Sequence, residues 1–151
     1  MASGKPHRLH QYVHDPASPF GIEAAEALEV ARERVFKTLV VAGADTLAVA
    51  VIPVSSELDL KAMARVLGEK KLAMAPPSQA ERATGYVVGG ISPLGQKRRL
   101  RTIVDESVVN WPSVFVSAGQ RGLELELAPV DLIALAGASC ARVGRPRTRH
   151  G

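Results

Sequence analysis

Cysteine is nearly absent from this 151-residue chain. Cys140 stands alone, so no internal disulfide can form, and such usage fits a reducing compartment such as the cytoplasm. Long apolar runs are missing too. The longest, Leu39 to Val54, is broken by Gly43 and Asp45 and falls short of the roughly 20 residues a membrane-spanning helix needs. The start, Met1-Ala2-Ser3-Gly4-Lys5-Pro6-His7, lacks the apolar stretch of a signal peptide. Histidine is scarce: His7, His10 and His14 fall in the polar N-terminus and His150 at the other end. His10 and His14 have the spacing of one helical face, but no acid or thiol nearby in sequence completes a zinc set, so no metal is expected. There is no G-x-S-x-G, no P-loop and no dinucleotide fingerprint, and Gly85 to Gly90 has the wrong spacing for either phosphate motif. Cys140, with no histidine in the packed region, reads as a small packed residue rather than a nucleophile. Familiar nucleophilic, metal and nucleotide chemistries are left without machinery.

What is present is an ordinary globular composition, 46% hydrophobic and 23% charged, at the length of one domain. A chain this long buries around two thirds of its unfolded surface and needs no staple. The net charge of +4 comes from the end of the chain: residues 142–151 hold Arg142, Arg145, Arg147 and Arg149 and no acid. Without those four, the chain carries 15 charges of each sign. The segment 142–151 reads as a disordered basic tail, either a solubilising end or a loose phosphate-contacting arm, and 1–141 as the folded domain. A second cluster, Lys97, Arg98, Arg99 and Arg101, lies inside the body beside a Gly-Pro-rich loop. It is either a polyanion contact or a solvated strand edge.

Strands and short helices alternate along the chain. The first twenty residues read as weakly structured; Pro19 then opens a helix through Ile22, Ala25 and Leu28. Val35–Ala42 and Thr46–Ile52, joined at Gly43-Ala44-Asp45, form a hairpin. Ser55-Ser56 offers an N-cap to a helix with Leu58, Ala62, Val66 and Leu67 that stops at Gly68, and 70–74 is a short strand. Ser78-Gln79-Ala80-Glu81 matches a capping box for a helix closed by Gly85. Tyr86–Leu94 reads as a strand feeding a loop, followed by strands at 102–104, 114–117 and 123–127. The last alternates leucines with carboxylates, and Pro129-Val130-Asp131 opens a final helix ending at Gly137. The expected class is α/β or α+β, one domain on a mixed sheet.

Three segments go beyond this generic pattern. Val35-Phe36-Lys37-Thr38-Leu39, the stretch TGYVVGGISPLGQKRRL from Thr84 to Leu100, and GQRGLELEL from Gly119 to Leu127 together resemble the YbaK family of aminoacyl-tRNA deacylases. That superfamily includes the editing insertion domain of bacterial prolyl-tRNA synthetases, and the likeness runs from His10 to Ala136. It implies a mixed, partly closed β-sheet flanked by helices. It implies a free-standing editing factor that hydrolyses mischarged tRNA, above all cysteine esterified to the proline tRNA. The partner it implies is the aminoacylated acceptor end of tRNA, with prolyl-tRNA synthetase a candidate second one; no cofactor is expected.

By the same resemblance the essential lysine is Lys37, acting with Gly89 and with Tyr12, and substrate-binding positions are Thr38, Gly90, Ile91, Ser117 and Glu124. Close relatives carry aspartate where this chain has Glu124, and their additional N-terminal helix has no counterpart in Met1 to Leu9. The family is thought to let the substrate's own thiol cut the ester, which agrees with the missing nucleophile. Lys97, Arg98, Arg99 and Arg101 would take acceptor-stem phosphates. Strand alternation sends Thr38 to the face opposite Lys37, and puts Glu124 either against an amine or on a solvated face. Gly89 and Gly90 either admit a ligand to their backbone or mark a tight bend, and Ser117 binds substrate or satisfies a strand end. The alternatives are a related deacylase for another small amino acid, such as alanine, using an oriented water, and, from a different class, a non-catalytic tRNA-binding or synthetase-associated module.

Overall fold

A computed structural model describes residues 6–13 and 20–146. The elements in chain order are β1 His7–Gln11, α1 Phe20–Ala27, β2 Phe36–Ala42, β3 Leu47–Pro53, β4 Ser56–Leu58, α2 Leu60–Leu67, β5 Ala73–Met74 and α3 Pro77–Thr84. They continue with β6 Arg101–Asp105, β7 Val114–Gln120, β8 Leu123–Leu127, α4 Pro129–Ala136, β9 Ser139–Ala141 and β10 Gly144–Pro146. Single 3-10 turns at Arg32–Arg34 and Glu106–Asn110 precede β2 and β7.

The β-branched runs pair as expected. β2 and β3 form an antiparallel hairpin with Phe36 opposite Pro53 and Ala42 opposite Leu47. Around it a mixed five-stranded sheet has the order β5-β2-β3-β6-β9, with β6 and β9 parallel to their neighbours. A second, antiparallel sheet has the order β1-β8-β7. The sheets meet through a parallel bridge between Val35 and Phe115, then splay apart. Val49, Val51, Val104, Val116, Leu125 and Leu132 fill the space between them as the main core. α2 covers the outer face of the larger sheet through Met63 and Ala64, and α1 covers the outer face of the smaller one through Ala24 and Ala25 against Phe115. The fold is a mixed α/β single domain.

Several local expectations give way to tertiary contacts. The polar segment His7–Gln11 is a strand, held by β8 in register His7 with Leu127, and His10 is therefore not helical. Ser56 lies in β4; the N-cap of α2 is Asp59, whose carboxylate accepts from Ala62 N at 3.0 Å. Ser78 lies inside α3, which begins at Pro77, and Glu81 instead accepts from Val88 N at 2.8 Å. Tyr86–Leu94 is no strand. Gly89 has φ +97°, Gly90 N bonds Val87 O, and the Tyr86 hydroxyl donates to Leu94 O at 2.6 Å, folding the segment onto itself. Cys140 is exposed on β9 rather than packed.

The basic end is ordered further than its composition suggests. Gly144–Pro146 pairs with β4, so residues 142–146 are not part of a disordered tail; 147–151 lie outside the described residues. Buried Asp105 explains the ordering: its carboxylate accepts from Val143 N, Gly144 N, Ser107 N and Ser107 Oγ. Asp105→Ala leaves those amides without a partner. The expected loss is about 2–4 kcal/mol in urea unfolding, with fast amide exchange at Val143 and Gly144.

Candidate active site

Where β2 and β7 diverge, a cavity of about 300 Å³ opens, with a mostly apolar lining. Val35 and the β2 residues Phe36–Val40 supply one wall, α3 adds Pro77 and Ala80, and the loop after α3 adds Val88, Gly89 and Ile91. Ser117 of β7, Glu124 of β8 and Tyr12, just past β1, complete the polar set. The structure thus brings together Lys37, Thr38, Gly89, Ile91, Ser117, Glu124 and Tyr12. Five successive residues of one strand can line a single space because the cavity lies along the strand's edge. Lys37 and Thr38 project to opposite faces and both reach it.

Each polar group is held differently. Lys37 is half-buried. The Thr38 hydroxyl oxygen is sealed from solvent with no hydrogen-bond partner. Tyr12 N donates to Gly122 O at 3.0 Å, fixing the tyrosine over the β7–β8 turn. Ser117 Oγ accepts from Gly119 N at 3.2 Å, in a bulge where the pairing jumps from Ser117–Glu124 to Gln120–Leu123. Ser117 therefore lines the cavity and also satisfies the strand end. The carboxylate face of β8 is not solvated; it faces α1, and Glu124 is only 6% exposed. Burial pushes the Glu124 carboxyl up to about 8. Burial, and then the neighbouring Glu124, raise the Tyr12 phenol.

Gly90 does not line the cavity. A Cβ there would stand 2.9 Å from the Gln120 Cα, so this glycine lets the loop pack against the β7 bulge. The basic residues also lie apart from it. Arg98, Arg99 and Arg101 border a separate hollow with Gln79 and the β2–β3 turn, and Lys97 is exposed beside Gly85. α3 separates the two spaces, with Pro77 and Ala80 on one and Gln79 on the other.

Two features were not foreseen. Glu23 of α1, 6% exposed, lies 3.8 Å from Arg121, and both charges act on the Tyr12 phenol. A lone acid between Ile22 and Ala24 on the apolar face of α1 was the available signal. Next to them, His10 bonds Glu126 at 2.9 Å, the Ser113 hydroxyl donates to the same carboxylate, and Arg34 bonds Ser113 while lying over the Phe115 ring. Burial works to raise Glu126, but the bonds from Ser113 and His10 bring its carboxyl below the ordinary value. Among the described residues no group of three or more His, Cys, Asp or Glu is placed to hold a metal ion, and no helix is long and apolar enough to cross a membrane.

A small, mostly apolar space with an ammonium, a buried carboxyl and a loop glycine suits a compact polar headgroup more than a large ligand. Comparison with known proteins agrees. A profile of the family described as the aminoacyl-tRNA editing domain matches residues 15–135. A curated Enterococcus faecalis protein, provisionally named a Cys-tRNA(Pro)/Cys-tRNA(Cys) deacylase, EbsC, is 42% identical over 120 residues, or 79% of this chain and 73% of that protein. Among solved structures, one described provisionally as a trans-editing enzyme for prolyl tRNA synthetase superposes with a TM-score of 0.83 at 25% identity, covering 92% of this chain and 87% of that one. Another, described only as hypothetical, reaches 0.86 at 28% identity, covering 95% of each chain.

Proposed function

The chain belongs to the aminoacyl-tRNA editing domain family and hydrolyses the ester of mischarged tRNA, and from that premise we propose that its substrate is cysteinyl-tRNA(Pro). The observation that carries this reading is the cavity itself: it gathers Lys37, Gly89, Ser117 and Glu124 around a space of about 300 Å³, and among the described residues that line it there is no cysteine and no histidine to activate a hydroxyl. An aminoacyl ester is activated, so placement and charge stabilisation suffice. The cysteinyl sulfur attacks its own carbonyl carbon, forming a C–S bond. The Lys37 ammonium and the Gly89 backbone N–H steady the oxyanion. The C–O bond to the ribose then breaks, the departing oxygen takes the proton given up by the thiol, and water opens the resulting small thiolactone to free cysteine. Glu124 receives the substrate's α-ammonium, and Tyr12 covers the ester.

The alternative of an alanine-type deacylase is favoured by the apolar wall, which does not itself demand a thiol. Release of radiolabelled amino acid from cysteinyl- and alanyl-tRNA(Pro) separates the two. Cysteine release well above alanine release is expected; the reverse order overturns the assignment, and tRNA binding without release of either favours a non-catalytic module.

The hollow beyond α3 is where the acceptor stem rests, with Lys97, Arg98, Arg99 and Arg101 on its phosphates. Arg98→Ala with Arg99→Ala should raise KM for charged tRNA about tenfold at moderate salt and flatten the logarithmic salt dependence by about two. kcat should not change. The site of action is the cytoplasm, where prolyl-tRNA synthetase, as a transient partner, would hand over the charged tRNA.

A further inference from the structure

β2 has one edge paired along its whole length and the other paired only in part. The hydrogen bond from Val54 N to Val35 O and that from Gly43 N to Thr46 O show that odd-numbered residues turn their backbone groups toward β3. Even-numbered residues therefore face the other edge, because the two directions alternate along an antiparallel strand. There Ala42 pairs with Ala73, and Val40 O accepts from Ala75 N. Continuing this register, the residue opposite Thr38 is Pro77, which has no N–H to donate and begins α3. At the far end the Val35–Phe115 bridge closes the edge. Between these stops, Thr38 enters no strand pairing on this edge and no turn or loop backbone bond among the described residues, and this stretch of edge borders the cavity.

Resting on the reading of this cavity as the aminoacyl site, we propose that the open edge of β2 at Thr38 is a strand-addition subsite. It takes the α-amino group and the carbonyl of the aminoacyl ester as it would take one residue of an added strand. The complementarity is that of a hydrogen-bonded antiparallel pair: one residue gives an N–H and accepts at a C=O, and its partner does the converse. An aminoacyl ester carries that set and nothing more. Its α-amino group donates to Thr38 O, and its carbonyl oxygen accepts from Thr38 N. The window is the single outward-facing residue between Phe36, beside the bridge, and Val40, bonded to Ala75, room for one amino acid and not for a peptide. The Thr38 hydroxyl, sealed and unpartnered, lies beside this pair and gives the same substrate a further polar contact. The subsite reads the main chain common to all amino acids, and leaves side-chain choice to the rest of the cavity.

Amide exchange followed by NMR tests this on the intact protein with two probes. The first is 3′-deoxy-3′-cysteinylamino-adenosine, a non-hydrolysable amide of the ester; the second is its deamino counterpart carrying 3-mercaptopropionate. Lys37 and Leu39 amides, bonded to β3, exchange slowly throughout and serve as controls. Thr38 exchange should be fast in the free protein and slow about tenfold or more on saturation with the first probe; slow exchange before any probe is added would show the edge already occupied and overturn the subsite. The second probe should bind about tenfold more weakly. If the Gly89 and Lys37 resonances move on binding while Thr38 exchange stays fast, the subsite is overturned and the cavity reading stands. If no lining resonance moves with either probe, both fall.

Discussion

Lys37→Ala is expected to slow single-turnover hydrolysis of cysteinyl-tRNA(Pro) by about 10²–10³-fold, the usual cost of removing one group that stabilises an oxyanion. The site chemistry explains why the effect should be this large. No metal-holding cluster is found among the described residues, and the cavity contributes no other ammonium or guanidinium. The walls around Lys37 are mostly apolar, so its charge is little screened. Lys37 sits opposite Ile52 in the β2–β3 ladder, and its backbone bonds survive the change. Unfolding midpoints should therefore shift little. Lys37→Met, which keeps the stem and drops the charge, should match alanine in rate; recovery with methionine would assign the lysine to packing and not to chemistry.

Glu124→Gln should have the largest effect on stability. The carboxyl moves from 4.5 in the unfolded chain to about 8 in the folded one. Between these values the unfolded chain has lost a proton that the folded chain keeps, so stability falls as pH rises through this window. Glutamine has no proton to lose and removes the slope. The variant should resemble the wild type near pH 4 and exceed it by roughly 3–5 kcal/mol near pH 8, read from urea unfolding across that range. A wild type whose stability is flat from pH 5 to 8 would refute the assignment. The gain in stability should come with a loss of function, because the carboxyl can give up its proton when an α-ammonium enters beside it and glutamine cannot, and KM should rise about tenfold. Residues that bind substrate in a dry cavity commonly strain the empty protein in this way.

The elements that sequence patterning located are those whose local signals and tertiary contacts agree. The β2–β3 hairpin follows from β-branched runs around Gly43-Ala44-Asp45, and α3 and α4 end where Gly85 and Gly137 adopt left-handed conformations. Patterning failed where a distant partner decides. His7–Gln11 has no apolar face of its own and is a strand only because β8 lies beside it. Val87 and Val88 have strand propensity, yet both are exposed near the cavity, in a loop that Glu81 holds from α3. Lys37, Gly89 and Glu124, which line the cavity, could be singled out only through the family resemblance; that Gly90 packs against the β7 bulge could not, because a glycine that admits a ligand and one that admits a neighbouring backbone look alike in sequence. Glu23 and Arg121 lie far apart in the chain, and only the packing of α1 over the β7–β8 turn joins them.

The placement of α3 as a party wall has a consequence for what the enzyme can capture. Helices are about 10 Å thick, so whatever docks on the arginine side must send a flexible single-stranded end over that shoulder to reach Lys37. A cysteinyl adenosine cut free of its carrier would slip into the chamber without a handhold outside. Such a fragment should turn over at a normal pace once seated, yet need far higher concentrations to be seated at all.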